Sequence, residues 1–271
     1  MTIPLLTLVT DRRTATMPLP TLARHALEGG VDVVQIREGD LDDVDLDQLV
    51  ADVITAVGAD RVAINDAPAL AARHGTHLHL PERSTARYVA AAGIPSLSCS
   101  VHAASSLEHI PAAATYLVLG HLFTTSTHPA SPPLGRCGAR AIVAASPLPV
   151  VVIGGITPDN VASASATGAA GVAVMSYVNS SPKPKAAARK LRDALERSMS
   201  QQAVSLSVQV NGKPMSVAPQ TSLTSFLERR NFHPRLVVVE RNREIVAKSA
   251  YDSTLLQEGD LLEIAHFVGG G

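Results

Sequence analysis

Eight short apolar runs, each closed by turn residues, recur through the first two thirds of the chain: Leu5 to Thr10, Val31 to Arg37, Arg61 to Asp66, Thr76 to Leu80, Ser96 to His102, Tyr116 to Phe123, Val150 to Gly155 and Gly171 to Ser176. Most gaps between them hold Ala- and Leu-rich segments with helical spacing, such as Pro20 to Glu28, Leu41 to Val57, Thr85 to Ala92 and Asp159 to Thr167. Runs that are apolar throughout, rather than alternating, fit strands buried on both faces, and so a parallel sheet covered by helices. Eight such units are the number that closes a sheet on itself. The expected fold is therefore α/β, a (β/α)8 barrel, with an open doubly wound sheet as the alternative.

After this region the pattern changes. Ser205 to Val210 alternates like a strand, Asn211-Gly212 is a strong hairpin turn, and Lys213 to Val217 returns. A helix from about Ser222 to Arg230 follows, then strands at Arg235 to Arg241 and Leu261 to Phe267, and last Gly269, Gly270 and Gly271. That order is the β-grasp, or ubiquitin-like, pattern. At 271 residues the chain has room for one large and one small domain, each with its own core. The boundaries read as a barrel over 1–182, its last helix and a polar Ser/Gln linker over 183–203, and the β-grasp domain over 204–271.

The formal charge of −1 offers no broad positive field for nucleic acid or anionic lipid, so any phosphate recognition is local and the partners are small molecules and proteins. Cys99 and Cys137 make neither a metal spacing nor a disulfide framework, which fits a reducing cytoplasm. No run approaches a membrane span, and Met1 leads into an apolar stretch without a basic export signal. Homo-oligomerisation stays open.

Barrel enzymes place their chemistry at the C-terminal ends of the strands, often with a phosphate held after strands seven and eight. Strand seven ends in Gly154-Gly155, followed by Thr157-Pro158-Asp159, where Thr157 is expected to cap a helix beginning at Pro158. Glycines and free backbone N–H groups there make an anion site, and strand eight adds Val174-Met175-Ser176. Other strand ends present Gln35 and Arg37, Asn65 and Asp66, His79, and Ser100 with His102. Strand six ends in Gly120-His121-Leu122-Phe123, before the hydroxyl-rich Thr124 to Thr127. A histidine at a barrel mouth can move protons near neutral pH. His79 and His102 read as structural; for His121 the spacing leaves both roles open.

Several of these segments together, Val34 to Glu38, Ile64-Asn65-Asp66, Ser100-Val101-His102, Gly154 to Pro158 and Gly171 to Ser176, resemble the superfamily of thiamin phosphate synthase and thiazole tautomerase. The synthase branch implies Mg²⁺ and cationic help for a diphosphate leaving group. Against that pattern residue 39 is Gly39 rather than lysine, Ser84 stands where a second magnesium carboxylate is expected, and His128 replaces a further lysine. Losing charge at a polyanionic leaving group weakens transition-state stabilisation. The tautomerase branch carries its acid/base histidine in the motif matched by Gly120 to Phe123, which puts that role on His121. This reading needs no cofactor. It implies aromatisation of a carboxylated thiazole phosphate, with Gly154, Gly155, Met175 and Ser176 around the phosphate and Gln35, Arg37, Asn65 and Ser100 around the rest. The alternatives are a Mg²⁺-dependent synthase, joining hydroxymethylpyrimidine diphosphate to thiazole phosphate, and an inactive barrel that scaffolds the second domain.

The second domain resembles the thiamin sulfur carriers through Val210 to Lys213, Val239 to Asn242, Glu258-Gly259-Asp260 and His266 to Gly270. That resemblance implies an adenylating enzyme acting on the terminal carboxylate, a sulfur donor converting it to a thiocarboxylate at Gly270 or Gly271, and thiazole synthase as the consumer. Many such carriers end at two glycines, so the third leaves trimming open. A molybdopterin-type carrier shares the tail and is the competitor for this half.

Overall fold

The computed structural model describes residues 5–89, 92–125, 131–203 and 206–266. The glycine tail, including Gly270 and Gly271, and His128 lie outside the described residues. The chain divides into two compact units, Met1–Ser198 and Met199–Gly271, and each is treated by itself.

The first unit is a closed barrel of parallel strands: β1 Leu6–Val9, β2 Val33–Ile36, β3 Val62–Asn65, β4 His77–Leu80, β5 Leu97–Val101, β6 Ala114–Gly120, β7 Val150–Ile153 and β8 Gly171–Val174. Each pairs with the next, and β1 also pairs with β8 through Leu6↔Val172 and Leu8↔Val174, which excludes the open sheet. Around it lie α1 Leu19–Glu28, α2 Asp43–Val57, α3 Pro68–His74, α4 Glu82–Thr85, α5 Gly135–Ala145, α6 Val161–Ser165, α7 Ser176–Asn179 and α8 Pro184–Ala203.

Alternation along each strand sorts side chains between two cores. Leu6, Leu8, Val34, Ile36, Ile64, Leu117 and Leu119 face outward and pack with Leu22, Val50, Val53, Ile142, Leu191 and Leu195 of the helices. Inside, Val9, Tyr116, Val118, Val151 and Ala173 form a smaller cluster with Ile153 and Met175. Two sequence boundaries shift. Of the helix expected over Thr85 to Ala92, the described residues show only the single turn α4, which follows Pro81 directly after β4, and the amides of Arg87 and Tyr88 bond three residues back. The Ser/Gln stretch expected as linker is helical as far as Ala203. Asp32 clasps the barrel's N-terminal side: its carboxylate accepts the amides of Leu5 and Leu6 at 2.8 and 2.9 Å and pairs with Arg192 of α8 at 3.0 Å. Among the described residues no helix is long and apolar enough to cross a membrane.

The second unit holds β9 Leu206–Val210, β10 Lys213–Val217, α9 Leu223–Glu228, β11 Val237–Arg241, β12 Glu244–Ile245 and β13 Leu261–His266, in sheet order β10-β9-β13-β11-β12. Asn211 and Gly212, at φ 48° and 74°, make the tight turn the sequence announced. β13 runs parallel to β9 and antiparallel to β11, the β-grasp arrangement, and the short β12 was not foreseen. Ser222 caps α9 by accepting the Ser225 amide at 3.2 Å, and α9 sets Leu223, Phe226 and Leu227 against Val208, Val239 and Leu262. Tyr251 is buried in this core, and its hydroxyl accepts the Val239 amide at 3.0 Å.

Replacing that hydroxyl by hydrogen leaves the Val239 N–H buried without its partner. Tyr251→Phe is therefore expected to destabilise the second unit by about 1–3 kcal/mol, read as a lower denaturant midpoint and faster exchange of the Val239 amide.

Candidate active site at the barrel mouth

Strand β6 stops at Gly120, so His121, Leu122 and Phe123, read in sequence as strand, lie in the loop that follows. This loop runs against the turn after β7: the Leu122 amide donates to the Ile153 carbonyl at 2.8 Å and the Phe123 amide to that of Gly154 at 3.1 Å. Asn160 Nδ2 donates to the Gly155 carbonyl at 2.8 Å. A planar trans peptide points its N–H opposite to its C=O, so the N–H groups of Gly154, Gly155 and Ile156 turn away from these three partners. With φ of 110° and 64°, Gly154 and Gly155 form a concave turn of the kind that binds anions. The glycines are also sterically required, since a Cβ at 154 would overlap the His121 side chain and one at 155 the Thr124 carbonyl.

The helix expected to begin at Pro158 under a Thr157 cap is displaced. α6 starts at Val161, and Asn160 Oδ1 accepts the Thr157 amide at 2.8 Å. One amide side chain thus braces both ends of the turn and withdraws the Thr157 N–H from any ligand. On the neighbouring strand end, after β8, Met175 packs into the inner apolar cluster and Ser176 is exposed at the start of α7. His121 is half-buried, with Nε2 3.2 Å from the Ser131 carbonyl. A carbonyl can only accept, so this bond places a proton on Nε2.

The β2 to β5 side of the mouth is polar. Gln35 is buried and donates Nε2 to Asn65 Oδ1 at 3.3 Å. His79 is buried between Ser98 and Ser100, with Nδ1 2.8 Å from one hydroxyl and Nε2 2.8 Å from the other. Burial first, then the positive charges of Arg37 and His102, bring its pKa down to about 3. Arg37 itself is exposed at the end of β2. Its neighbour Glu38 is buried and accepts from the Thr10 hydroxyl at 2.6 Å.

Two carboxylates stand at adjacent strand ends. Asp66, after β3, pairs with Arg83 at 2.7 Å, and Glu82, after β4, pairs with His102 at 2.5 Å. Burial opposes ionisation of Glu82, but hydrogen bonds with Ser106 and His102 and the His102 charge hold its carboxyl below the usual range. Glu82 was missed in the sequence, where attention fell on Ser84 two residues on; its place directly after a strand was the available signal. Among the described residues no three His, Cys, Asp or Glu side chains gather as a metal cluster. Mg²⁺ does not need one, because it keeps water ligands and binds through one or two carboxylates plus substrate phosphates. Arg83 and His102 are mostly exposed, and ion pairs of that kind are worth little, so Asp66 and Glu82 fit such an ion.

A closed parallel barrel with polar groups and a braced glycine turn at its C-terminal mouth, joined to a β-grasp domain, defines the class of protein. Its family follows from comparison: residues 6–178 match thiamine monophosphate synthase, and the chain belongs to that family, while residues 208–271 match the ThiS family. The thiamine-phosphate synthase of Moorella thermoacetica is 36% identical over 189 residues, covering 66% of this chain and 90% of the relative. A solved thiamine phosphate pyrophosphorylase from Pyrococcus furiosus superposes with a TM-score of 0.62 at 25% identity, over 72% of this chain and 96% of its own. A thiazole synthase of Magnetococcus marinus is 38% identical over 66 residues, 24% of this chain and 20% of that protein.

Two outcomes follow from the geometry. Gly154→Ala is expected to weaken binding of inorganic phosphate about tenfold or more, measured by ³¹P NMR titration, because the added methyl drives the β6 and β7 loops apart. His79 is expected to show no ring titration between about pH 5 and 8 by NMR. An unfolded chain takes up a proton at His79 near the ordinary pKa of about 6.5, whereas the folded state refuses it until about 3. Between those values the unfolded state binds more protons, so the His79 contribution lowers stability as pH falls through that window.

Proposed function

We propose that the barrel binds thiazole phosphate in thiamin biosynthesis and joins it to hydroxymethylpyrimidine diphosphate, while the second domain carries sulfur for thiazole synthase. The observation that carries the first part is the pair of weakly engaged carboxylates, Asp66 and Glu82, at neighbouring strand ends in a chain whose curated relatives are named thiamine-phosphate synthases. These relatives favour condensation over the aromatisation read first from the sequence. In this reading Gly154, Gly155 and Ser176 hold the thiazole phosphate, and Gln35, Asn65 and Ser100 line the opposite wall. As a bond to the thiazole forms, the bond from carbon to diphosphate breaks and negative charge gathers on the departing oxygens. A Mg²⁺ ion at Asp66 and Glu82 would supply positive charge there when bound. Arg37, exposed beside the place where the expected lysine is Gly39, adds a cation from the chain itself.

Aromatisation is the second reading, favoured by the position of His121 directly against Gly154. There the neutral His121 takes the proton from ring C2 and the protonated ring returns one to the exocyclic carbon. Both readings leave the carrier role unchanged: adenylation of the terminal carboxylate, sulfur transfer to a thiocarboxylate on Gly271, and delivery to thiazole synthase in a reducing cytoplasm.

The deciding assay supplies both thiamin halves with Mg²⁺ and follows thiamin phosphate by chromatography. Wild-type protein is expected to form it, and Asp66→Asn to slow formation about a hundredfold or more with thiazole phosphate binding retained. No product, together with a His121-dependent absorbance change on the non-aromatic tautomer, would transfer the assignment to aromatisation; no reaction of either kind from folded protein would leave the barrel as a scaffold for the carrier.

A further inference from the structure

The ion pair of Asp66 with Arg83 joins two unequal partners. Asp66 is held by its backbone: its amide donates to the His79 carbonyl at 2.8 Å, and at φ 59° it takes the left-handed turn that aspartate tolerates. Its side chain is 27% exposed just beyond β3. Arg83 lies in the single turn α4 next to Glu82, is 74% exposed, and reaches Asp66 Oδ2 with Nη2 at 2.7 Å. The proposed chemistry uses both carboxylates and gives no part to the guanidinium that pairs with the one and adjoins the other in sequence.

Two properties of that guanidinium matter when the carboxylates receive a divalent cation. Its positive charge, 2.7 Å from Oδ2, repels any cation that Asp66 coordinates. An exposed pair of this kind is favoured over its separated form by roughly fivefold at most, so the side chain is readily displaced. Once displaced, it is a forked donor whose planar geometry matches phosphate oxygens. The departing diphosphate gathers negative charge at this sector of the mouth, where Gly39 stands in place of the expected lysine.

We propose that Arg83 competes with Mg²⁺ for Asp66 and, once displaced, binds the diphosphate group of the substrate. Without ligands the guanidinium offsets the Asp66 charge; with them it faces the diphosphate oxygens and leaves Asp66 to the cation. Metal and diphosphate therefore favour each other's binding through this one side chain. The inference rests on reading the mouth as a Mg²⁺-diphosphate site, and its test separates the two.

Titration calorimetry on the full chain uses Mg²⁺ alone and then pyrophosphate with Mg²⁺ present. Asp66→Asn is expected to abolish Mg²⁺ binding, which places the ion. Arg83→Gln, neutral and polar, is expected to bind Mg²⁺ about two- to fivefold tighter and Mg²⁺-pyrophosphate about tenfold weaker. Arg83→Lys keeps the charge and should keep the wild-type Mg²⁺ affinity. A role confined to tying α4 against β3 would leave both affinities of Arg83→Gln unchanged or move them the same way, and either result overturns the exchange. Mg²⁺-pyrophosphate binding that depends on Asp66 but not on Arg83 overturns this inference and leaves the synthase reading in place. Mg²⁺ binding indifferent to Asp66→Asn, or no affinity for pyrophosphate, refutes the diphosphate site itself and the role of Arg83 with it.

Discussion

Everything at the mouth depends on the pairing of β1 with β8. Parallel strands joined by helices have no reason to curl unless the first and last can share hydrogen bonds, and here Leu6, Thr7 and Leu8 register with Val172, Ala173 and Val174. Closure removes both sheet edges and gathers the C-terminal strand ends into a ring. Residues far apart in sequence, such as Gln35, Ser100, Gly154 and Ser176, become neighbours of one opening for that reason. The clasp of Asp32 on the first strand's amides and on Arg192 fixes the opposite end, so the last helix is part of the closure.

Within the ring the surroundings differ by sector. The β6 to β1 side lines the interior with valines, Ile153 and Met175, while the β2 to β5 side brings Gln35, Asn65, His79 and the two serines. The charged groups at this side of the mouth, Arg37, Asp66, Arg83, Glu82 and His102, are at least partly open to water, where their pairings exchange cheaply. Groups that must hold still are neutral and buried. A carboxylate pair stands on one side of the ring and His121 beside the glycine turn on the other.

The barrel strands were legible because burial on both faces writes an unbroken apolar run, and the hairpin at Asn211-Gly212 because its backbone conformation demands those residues. Errors fell where long-range contact overrides a local signal. Thr157-Pro158 looks like a helix start, yet the Asn160 amide, engaging the Gly155 carbonyl and the Thr157 N–H together, delays it. Leu122 and Phe123 are apolar enough to extend β6, but their amides turn toward the carbonyls after β7. Glu82 was overlooked because its worth comes from Asp66 on the neighbouring strand end, a relation no linear spacing displays. The placing of Ser98 and Ser100 on either side of the His79 ring was hidden for the same reason, since alternation gives the facing of each residue but not which hydroxyls will meet the ring.

The margins of the second sheet have a consequence for how such a domain circulates. One border is β10, where Pro214 carries no N–H, beside the exposed Lys213; the other is the two-residue β12, reached at Glu244 and Ile245. Neither offers the long row of open amides on which a foreign strand could zip up. Borders of this kind resist strand-to-strand pairing, so copies crowded together are kept from knitting into fibres.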